Sequence, residues 1–250
     1  MNFSKASIVL VTLAALLAAL PAAQAACTDA SFKGVYGVLS SGLNGSGQPA
    51  SSVDHIVADG AGSLTGSSTK SIDGTLVTFT FTGTYQLNKD CTGNASFNNQ
   101  DGSTKHVNIY VNSAKKGAFL IQTDAQHTES SVLAAQGAAK CTDLGVKHTY
   151  SLKFEGVDLK NGTVAVAGQV SFDGTGSVKS GVATFSINGS IANSLPLSGT
   201  YHINSDCTGT AQITTQLGVS NLALVVVNVD KEILALQTDS GTIVAGTLLQ

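Results

Sequence analysis

The chain has 250 residues, of which 12% are charged, and it contains 27 glycines, 3 prolines and no tryptophan. Lysine supplies all 13 basic residues, and the formal net charge is −3. Because arginine is absent and the charge is slightly negative, we expect no nucleic-acid partner, and the 42% hydrophobic content excludes a disordered chain.

Residues 1–25 have the pattern of an export signal. A lysine lies near the start, residues 6–20 are apolar, and Ala23 and Ala25 give the small-x-small pattern of a cleavage site. About 15 apolar residues are too few for a membrane-spanning helix, and no later segment is longer, so we expect no transmembrane segment. The sequence predicts cleavage near Ala25 and an exported protein, periplasmic or extracellular. Acylation of Cys27 as a lipoprotein is the alternative, although the leucine of such signals is missing.

The rest of the chain contains one pattern twice. Residues 83–93 read GTYQLNKDCTG and residues 199–209 read GTYHINSDCTG, identical at 8 of 11 positions. Other landmarks recur in the same order with a period of about 115 residues, namely CTD, DGxG and QTD. A period of this length is typical of a duplicated domain rather than a solenoid repeat. We predict two domains, 27–136 and 141–250, joined by a linker at 137–140.

The four cysteines fall two per repeat, which in an exported chain indicates disulfides. Of the three possible connectivities, the one that respects the repeat pairs Cys27 with Cys91 and Cys141 with Cys207. A metal site is the alternative, but the chain has no Cys-x-x-Cys and no paired histidine near these residues. We therefore predict one disulfide per domain and no metal.

Strict alternation of apolar and polar residues predicts β-strands throughout both repeats. In residues 77–87 the odd positions are apolar or glycine and the even positions are threonine or glutamine. No segment after the export signal shows the period of an amphipathic helix. About eight short strands per repeat favour two tandem eight-stranded antiparallel meander barrels, because closure removes exposed edges. Two β-sandwiches are the alternative. An outer-membrane barrel is disfavoured because aromatic girdles are missing.

One small, exported, disulfide-closed meander per repeat resembles the barrels of lipocalins and avidins (calycins) in architecture. The tryptophan signatures of both groups are absent, so no functional residue is carried over. The DGxG and GTYxxxxDCTG motifs also resemble repeats of uncharacterised secreted bacterial proteins. That resemblance covers nearly the whole mature chain and implies no activity.

Searches for catalytic signatures find no nucleophile elbow, P-loop, zinc-protease or calcium-loop motif. None of the five histidines and none of the three glutamates recurs in the other repeat, so we predict no catalytic residue, metal site or cofactor shared by both domains. Four aspartates do recur, beside glycine, cysteine or threonine. Aspartate in this setting is typical of turns.

The tyrosines are the candidate ligand-binding residues. Two pairs recur on the apolar face of the predicted strands, and an inward tyrosine either packs in a core or contacts a ligand. His148 shares the parity of Val146 and is added to the set, and three phenylalanines are the expected walls of a pocket. The full candidate set is Tyr36, Tyr85, Tyr150, Tyr201, Phe79, Phe81, Phe185 and His148.

These features favour an exported, non-catalytic β-barrel protein that binds a small neutral or apolar ligand. A structural or adhesive surface protein is one alternative. The other is a barrel-interior enzyme of the isomerase or cyclase kind, which requires a buried polar cluster in one domain that the other domain lacks. Alanine substitution of His148 or Tyr150 is predicted to abolish such an activity. The oligomeric state does not follow from the sequence.

Overall fold

The computed structural model describes residues 26–112, 114, 116–137 and 140–250. The predicted export signal and part of the predicted linker lie outside these ranges. No helix within them is long and apolar enough to cross a membrane.

The first half of the described chain forms a closed antiparallel barrel, here called barrel 1. Each strand pairs with the next, and the last strand pairs back with the first. The strands are β1 (Gly34–Leu43), β2 (Pro49–Ala58), β3 (Ser63–Ile72), β4 (Thr75–Leu87), β5 (Thr92–Asn99), β6 (Thr104–Val111), β7 (Gly117–Gln122) and β8 (Ser130–Ala135).

The second half repeats this arrangement as barrel 2. Its strands are β9 (Thr149–Asp158), β10 (Gly162–Phe172), β11 (Ser177–Ile187), β12 (Ser190–Pro196), β13 (Ser198–Ile203), β14 (Thr208–Thr215), β15 (Gly218–Val227), β16 (Glu232–Gln237) and β17 (Thr242–Leu249). Both β12 and β13 pair with β11, so together they replace the single strand β4 of barrel 1. The break falls at Pro196, which has no N–H to donate. Pairing of β10 with β11 closes the sheet. The prediction of two eight-stranded barrels is confirmed, and the sandwich alternative is wrong.

Each barrel has a disulfide at the same end, here called the disulfide end. Cys27 bonds Cys91 in barrel 1, and Cys141 bonds Cys207 in barrel 2, as predicted. In barrel 1 a 3₁₀ helix, Asp29–Phe32, covers this end and buries the ring of Phe32. The opposite end, formed by the β1–β2, β3–β4, β5–β6 and β7–β8 turns, is called the cavity end.

The recurring aspartates shape turns, as expected. Asp59 Oδ1 accepts hydrogen bonds from the main-chain N–H groups of Ala61 and Ser63, and Asp173 repeats this with Thr175 and Ser177. These bonds satisfy main-chain donors that the bend would otherwise leave unpaired.

The two barrels pack side by side through the outer faces of their sheets. Val227, Leu234 and Leu236 of barrel 2 are fully buried in an apolar cluster that also contains Val53 of barrel 1. Gly37 permits the close approach, since a Cβ there would lie 2.6 Å from the side chain of Val227. Hydrogen bonds also cross the interface, including Ser71 Oγ to the carbonyl of Thr242 (2.6 Å) and the N–H of Gly241 to the carbonyl of Gly74 (2.8 Å).

Removing either disulfide should destabilise its barrel by a similar amount. The bonds close loops with sequence separations of 64 and 66 residues, for which the chain-entropy model gives about 4 kcal/mol each. The paired variants Cys27→Ala/Cys91→Ala and Cys141→Ala/Cys207→Ala, each compared with wild type by urea unfolding, should both lose about this much free energy of unfolding. Losses below about 1 kcal/mol would contradict the stabilising role.

Candidate ligand site in barrel 1

The four candidate tyrosines lie near the disulfide ends of the barrels. Tyr85 donates its hydroxyl proton to the carbonyl of Asp29 (3.1 Å) and accepts from the N–H of Gly60 (2.9 Å). Tyr201 makes the same two bonds in barrel 2, with Asp143 (3.1 Å) and Gly174 (2.9 Å). The hydroxyls therefore hold main-chain groups of the turns, which is the structural role.

The other tyrosine pair is also used internally. Tyr36 is 2% exposed and stacks on Phe32 with ring centroids 4.8 Å apart. Burial, with a smaller contribution from Tyr85, raises the pKa of Tyr36 to about 12, so it stays neutral. Tyr150 is fully buried and donates to the carbonyl of Asp230 (2.7 Å).

The remaining candidates divide between the barrels. His148 is exposed and precedes β9, so the strand parity assigned to it from the sequence does not apply. Phe185 packs against the core of barrel 2. Phe79 and Phe81 line a cavity inside barrel 1, and none of the four tyrosines lines it.

This cavity has a volume of about 70 Å³ and lies in the half of barrel 1 toward the cavity end. Its apolar wall includes the rings of Phe79, Phe81 and Phe97, with Phe81 and Phe97 in edge-to-face contact at 5.4 Å. Its polar wall includes Asp54, Lys70 and Lys105. The cavity is therefore lined by both charged groups and aromatic rings, and Phe97 is the register partner of Lys105.

Glu129 lies immediately before β8 and is 1% exposed. Lys70 Nζ donates to its Oε2 at 2.7 Å, and Lys105 Nζ donates to its Oε1. Burial alone would raise the pKa of Glu129, but Lys105 and Lys70 together lower it below its usual value. Glu129 is therefore a buried carboxylate with two ammonium partners.

Asp54 on β2 lines the same cavity and completes the ion cluster of Asp54, Lys70, Lys105 and Glu129. Its register partner on β3 is Ser68, two residues from Lys70. Ser68 Oγ donates to its Oδ1 at 2.5 Å, and Ser52 Oγ donates to its Oδ2 at 3.2 Å. No ion pair within 4.0 Å joins Asp54 to Lys70 or Lys105. Burial raises the pKa of Asp54, although Lys105 and the bond from Ser68 oppose the shift. Asp54 is therefore a carboxyl group whose charge is only partly compensated.

Barrel 2 has no matching cluster. The strand registers give the matching positions in the two barrels. The cross-strand pair Ser52 and Lys70 corresponds to Val166 and Phe185, and the pair Asp54 and Ser68 corresponds to Gly168 and Ala183. Lys105 corresponds to Ser220, and Glu129 corresponds to Val244. The four charged positions of barrel 1 thus correspond to Gly168, Phe185, Ser220 and Val244. Partly buried apolar residues, among them Phe185 and Ile213, pack against the core there.

The charged residues were not among the sequence candidates, because the repeats were compared for residues that both retain. The alternation of inward and outward side chains along each strand could have identified them. Asp54 has the same parity as the buried Ile56, Lys105 has that of Val107, and Glu129 has that of Leu133. Charged residues on the inward face of a small barrel are unusual and mark a site.

A second concave region lies between the barrels. It has a volume of about 340 Å³ and is lined by β1 and β2 on one side and by β9 and β17 on the other. Its one ion pair, Lys153 with Glu155 at 3.0 Å, has both side chains about 70% exposed. Such a pair is screened by water and contributes little, so this groove is the weaker candidate.

Within the ranges that the structure describes, no group of three or more histidine, cysteine, aspartate or glutamate side chains is arranged to hold a metal ion. The polar wall of the cavity instead offers ammonium donors and one carboxyl group. This chemistry suits hydrogen bonding and proton exchange.

Comparison with known proteins assigns no family. Scans against protein-family models and curated proteins found no match. Among solved structures, kievitone hydratase from Nectria haematococca aligns over 88% of this chain and 89% of its own, with 8% identity and a TM-score of 0.32. At this TM-score the likeness supports no conclusion about fold or function.

Two isosteric amide substitutions should change stability in opposite directions. Glu129→Gln leaves two ammonium groups without a counter-charge and should lower the free energy of unfolding at pH 7 by about 3–5 kcal/mol. Asp54→Asn removes a carboxylate whose charge is disfavoured by burial and should raise the free energy of unfolding at pH 7.

The pH dependence follows from the two pKa directions. The stabilisation from Glu129 is present above its unfolded pKa and is lost as the pH falls through its lowered folded value. The raised pKa of Asp54 gives the opposite sign, with stability lost as the pH rises through the folded value. Urea unfolding of wild type and both variants across pH measures this. Equal effects of the two variants would contradict the assignment.

Proposed function

We propose that the protein is an exported binding protein in which the cavity of barrel 1 holds a small ligand and barrel 2 is its structural partner. The observation that carries the proposal is the ion cluster of Asp54, Lys70, Lys105 and Glu129 beside a cavity, present in one barrel only. A ligand site that differs between two copies of one scaffold is expected where one copy has specialised.

The energetics of buried ions support this interpretation. Taking charges out of water costs several kcal/mol per ion, and replacing a buried ion pair by apolar residues is often neutral or stabilising. Barrel 2 has the same strand order with Phe185 and Val244 at two of the charged positions. The barrel therefore does not require the cluster in order to close, and binding explains its presence.

The location follows from the covalent structure. Two disulfides indicate an oxidising compartment outside the cytosol. Together with the signal-like residues 1–25, this supports export to the periplasm or the extracellular space. We also propose kinship with the secreted bacterial repeat proteins that share its DGxG and GTYxxxxDCTG motifs.

A barrel-interior enzyme of the isomerase or cyclase kind is the second candidate function. One observation favours it, which is that barrel 1 has the polar cluster that such an enzyme needs and barrel 2 does not. Asp54 and Lys105 face one cavity, and a carboxyl group with a raised pKa is suited to proton transfer. Deuterium uptake from D₂O into a bound fragment, lost in Asp54→Asn, would favour catalysis over binding alone.

Obstructing the cavity tests the binding proposal. Asn99 lines it from the end of β5, and Thr215 holds the matching position at the end of β14. Asn99→Phe should abolish binding of small fragments (acetate, propionate, glycerol, propanol and propylamine) in ligand-observed NMR, whereas the matched variant Thr215→Phe should retain it. The proposal fails if no fragment binds wild type, or if Asn99→Phe binds as wild type does.

A further inference from the structure

We propose that the ligand of barrel 1 is a small monocarboxylate with a short apolar tail, bound through its carboxylate by Lys70 and Lys105. This inference rests on the proposed function, because it names the ligand class of the same cavity. It departs from the small neutral or apolar ligand predicted from the sequence, because two lysines line the cavity.

The first argument for a carboxylate comes from the N–H donors of the Lys70 and Lys105 ammonium groups. Each ammonium carries three N–H donors, and Glu129 accepts one from Lys70 and one from Lys105. Within the part of the chain that the structure describes, Glu129 is the only protein group that accepts a hydrogen bond from either ammonium. Both lysines line the cavity, with side chains 16% and 22% exposed. Lys70 and Lys105 share Glu129, and their remaining N–H donors are available to an acceptor in the cavity.

The size of the cavity limits the ligand. About 10–15 Å³ of such space accommodates one water-sized atom, so about 70 Å³ holds on the order of five non-hydrogen atoms. Acetate, propionate and butyrate are in this range. Sugars, nucleotides and drug-sized molecules need cavities of roughly 300 Å³ or more.

The aromatic wall favours an organic carboxylate over an inorganic anion as the ligand. Phe79, Phe81 and Phe97 face the cavity and offer apolar surface that a methyl or ethyl group buries favourably. Phosphate would place polar oxygens against these rings without hydrogen-bond donors, at a desolvation cost. The cavity is thus complementary to a molecule with one anionic and one apolar end.

Binding of the ligand should be coupled to protonation of Asp54. The titratable groups that face it are Lys70 on β3, Lys105 on β6 and Glu129 before β8, while His55 lies on the outward side of the same strand. A carboxylate bound between the lysines and Asp54 brings a second negative charge close to Asp54. Repulsion then favours uptake of one proton from solvent by the Asp54 carboxylate, giving a neutral carboxyl group that donates a hydrogen bond.

Titration calorimetry with propionate on the full-length exported chain tests the inference. Wild type should bind propionate more tightly than propanol, propylamine or inorganic phosphate. Measured in two buffers of different ionisation enthalpy, binding should take up close to one proton per site at a pH where Asp54 is ionised in the free protein. The affinity should rise as the pH falls toward the pKa of Asp54, as long as propionate itself stays ionised.

Two variants test how the charges of Asp54 and Lys105 contribute to propionate binding. Asp54→Asn should bind propionate about tenfold more tightly and take up no proton, because the repelling charge is gone. Lys105→Met/Glu129→Gln removes one cation and one anion, so it keeps the net charge. This double variant should weaken propionate at least about tenfold and weaken propanol by less, because propanol carries no charge for the lost ammonium to pair with.

The outcomes separate the two proposals. If no fragment binds wild type, the proposed function itself fails. If propanol or propylamine binds in the cavity and propionate does not, the binding function stands and the carboxylate inference is overturned. Preference for phosphate over propionate, or propionate binding with no proton uptake and no gain in Asp54→Asn, overturns it as well.

Discussion

Closure of each eight-stranded sheet governs everything inside the barrels. Because β8 pairs with β1, every second side chain of every strand in barrel 1 points into one narrow interior with no sheet edge through which it can leave. A charged residue of that parity must find its partner inside. Lys70 and Lys105 meet this requirement by sharing Glu129, and Asp54 meets it in part through Ser52 and Ser68.

The two barrels provide an internal comparison. They share strand order, the disulfide, the turn aspartates and the tyrosine that binds the turn main chain, as Tyr85 and Tyr201 show. They differ at the cavity end, where barrel 1 is ionic and barrel 2 is apolar. We therefore attribute the shared disulfide, turn aspartates and tyrosine to folding. The ion cluster, which only barrel 1 has among the described residues, we attribute to function. Leu234 and Leu236 pack in the apolar cluster that joins barrel 2 to barrel 1.

Alternation and repetition made most of the fold predictable. The period-2 pattern identified strands such as β4, and the repeat selected the disulfide partners of Cys27 and Cys141. The site was less accessible. Parity places Asp54 and Lys105 inside, but the meeting of Lys70 with Glu129 depends on strand register and on where the sheet closes, neither of which the sequence displays. Comparing the repeats for shared residues also directed attention to the tyrosines, which serve the scaffold.

The most direct test of this account replaces the ion cluster of barrel 1 with the residues at the matching positions of barrel 2. The variant Asp54→Gly/Lys70→Phe/Lys105→Ser/Glu129→Val should fold as a β-barrel protein with a free energy of unfolding within about 2 kcal/mol of wild type, because no buried charge is left unpaired. In calorimetry it should show no propionate binding. A variant that fails to fold would show that the cluster serves the scaffold, and one that binds propionate like wild type would show that the ligand lies elsewhere; either result contradicts the account.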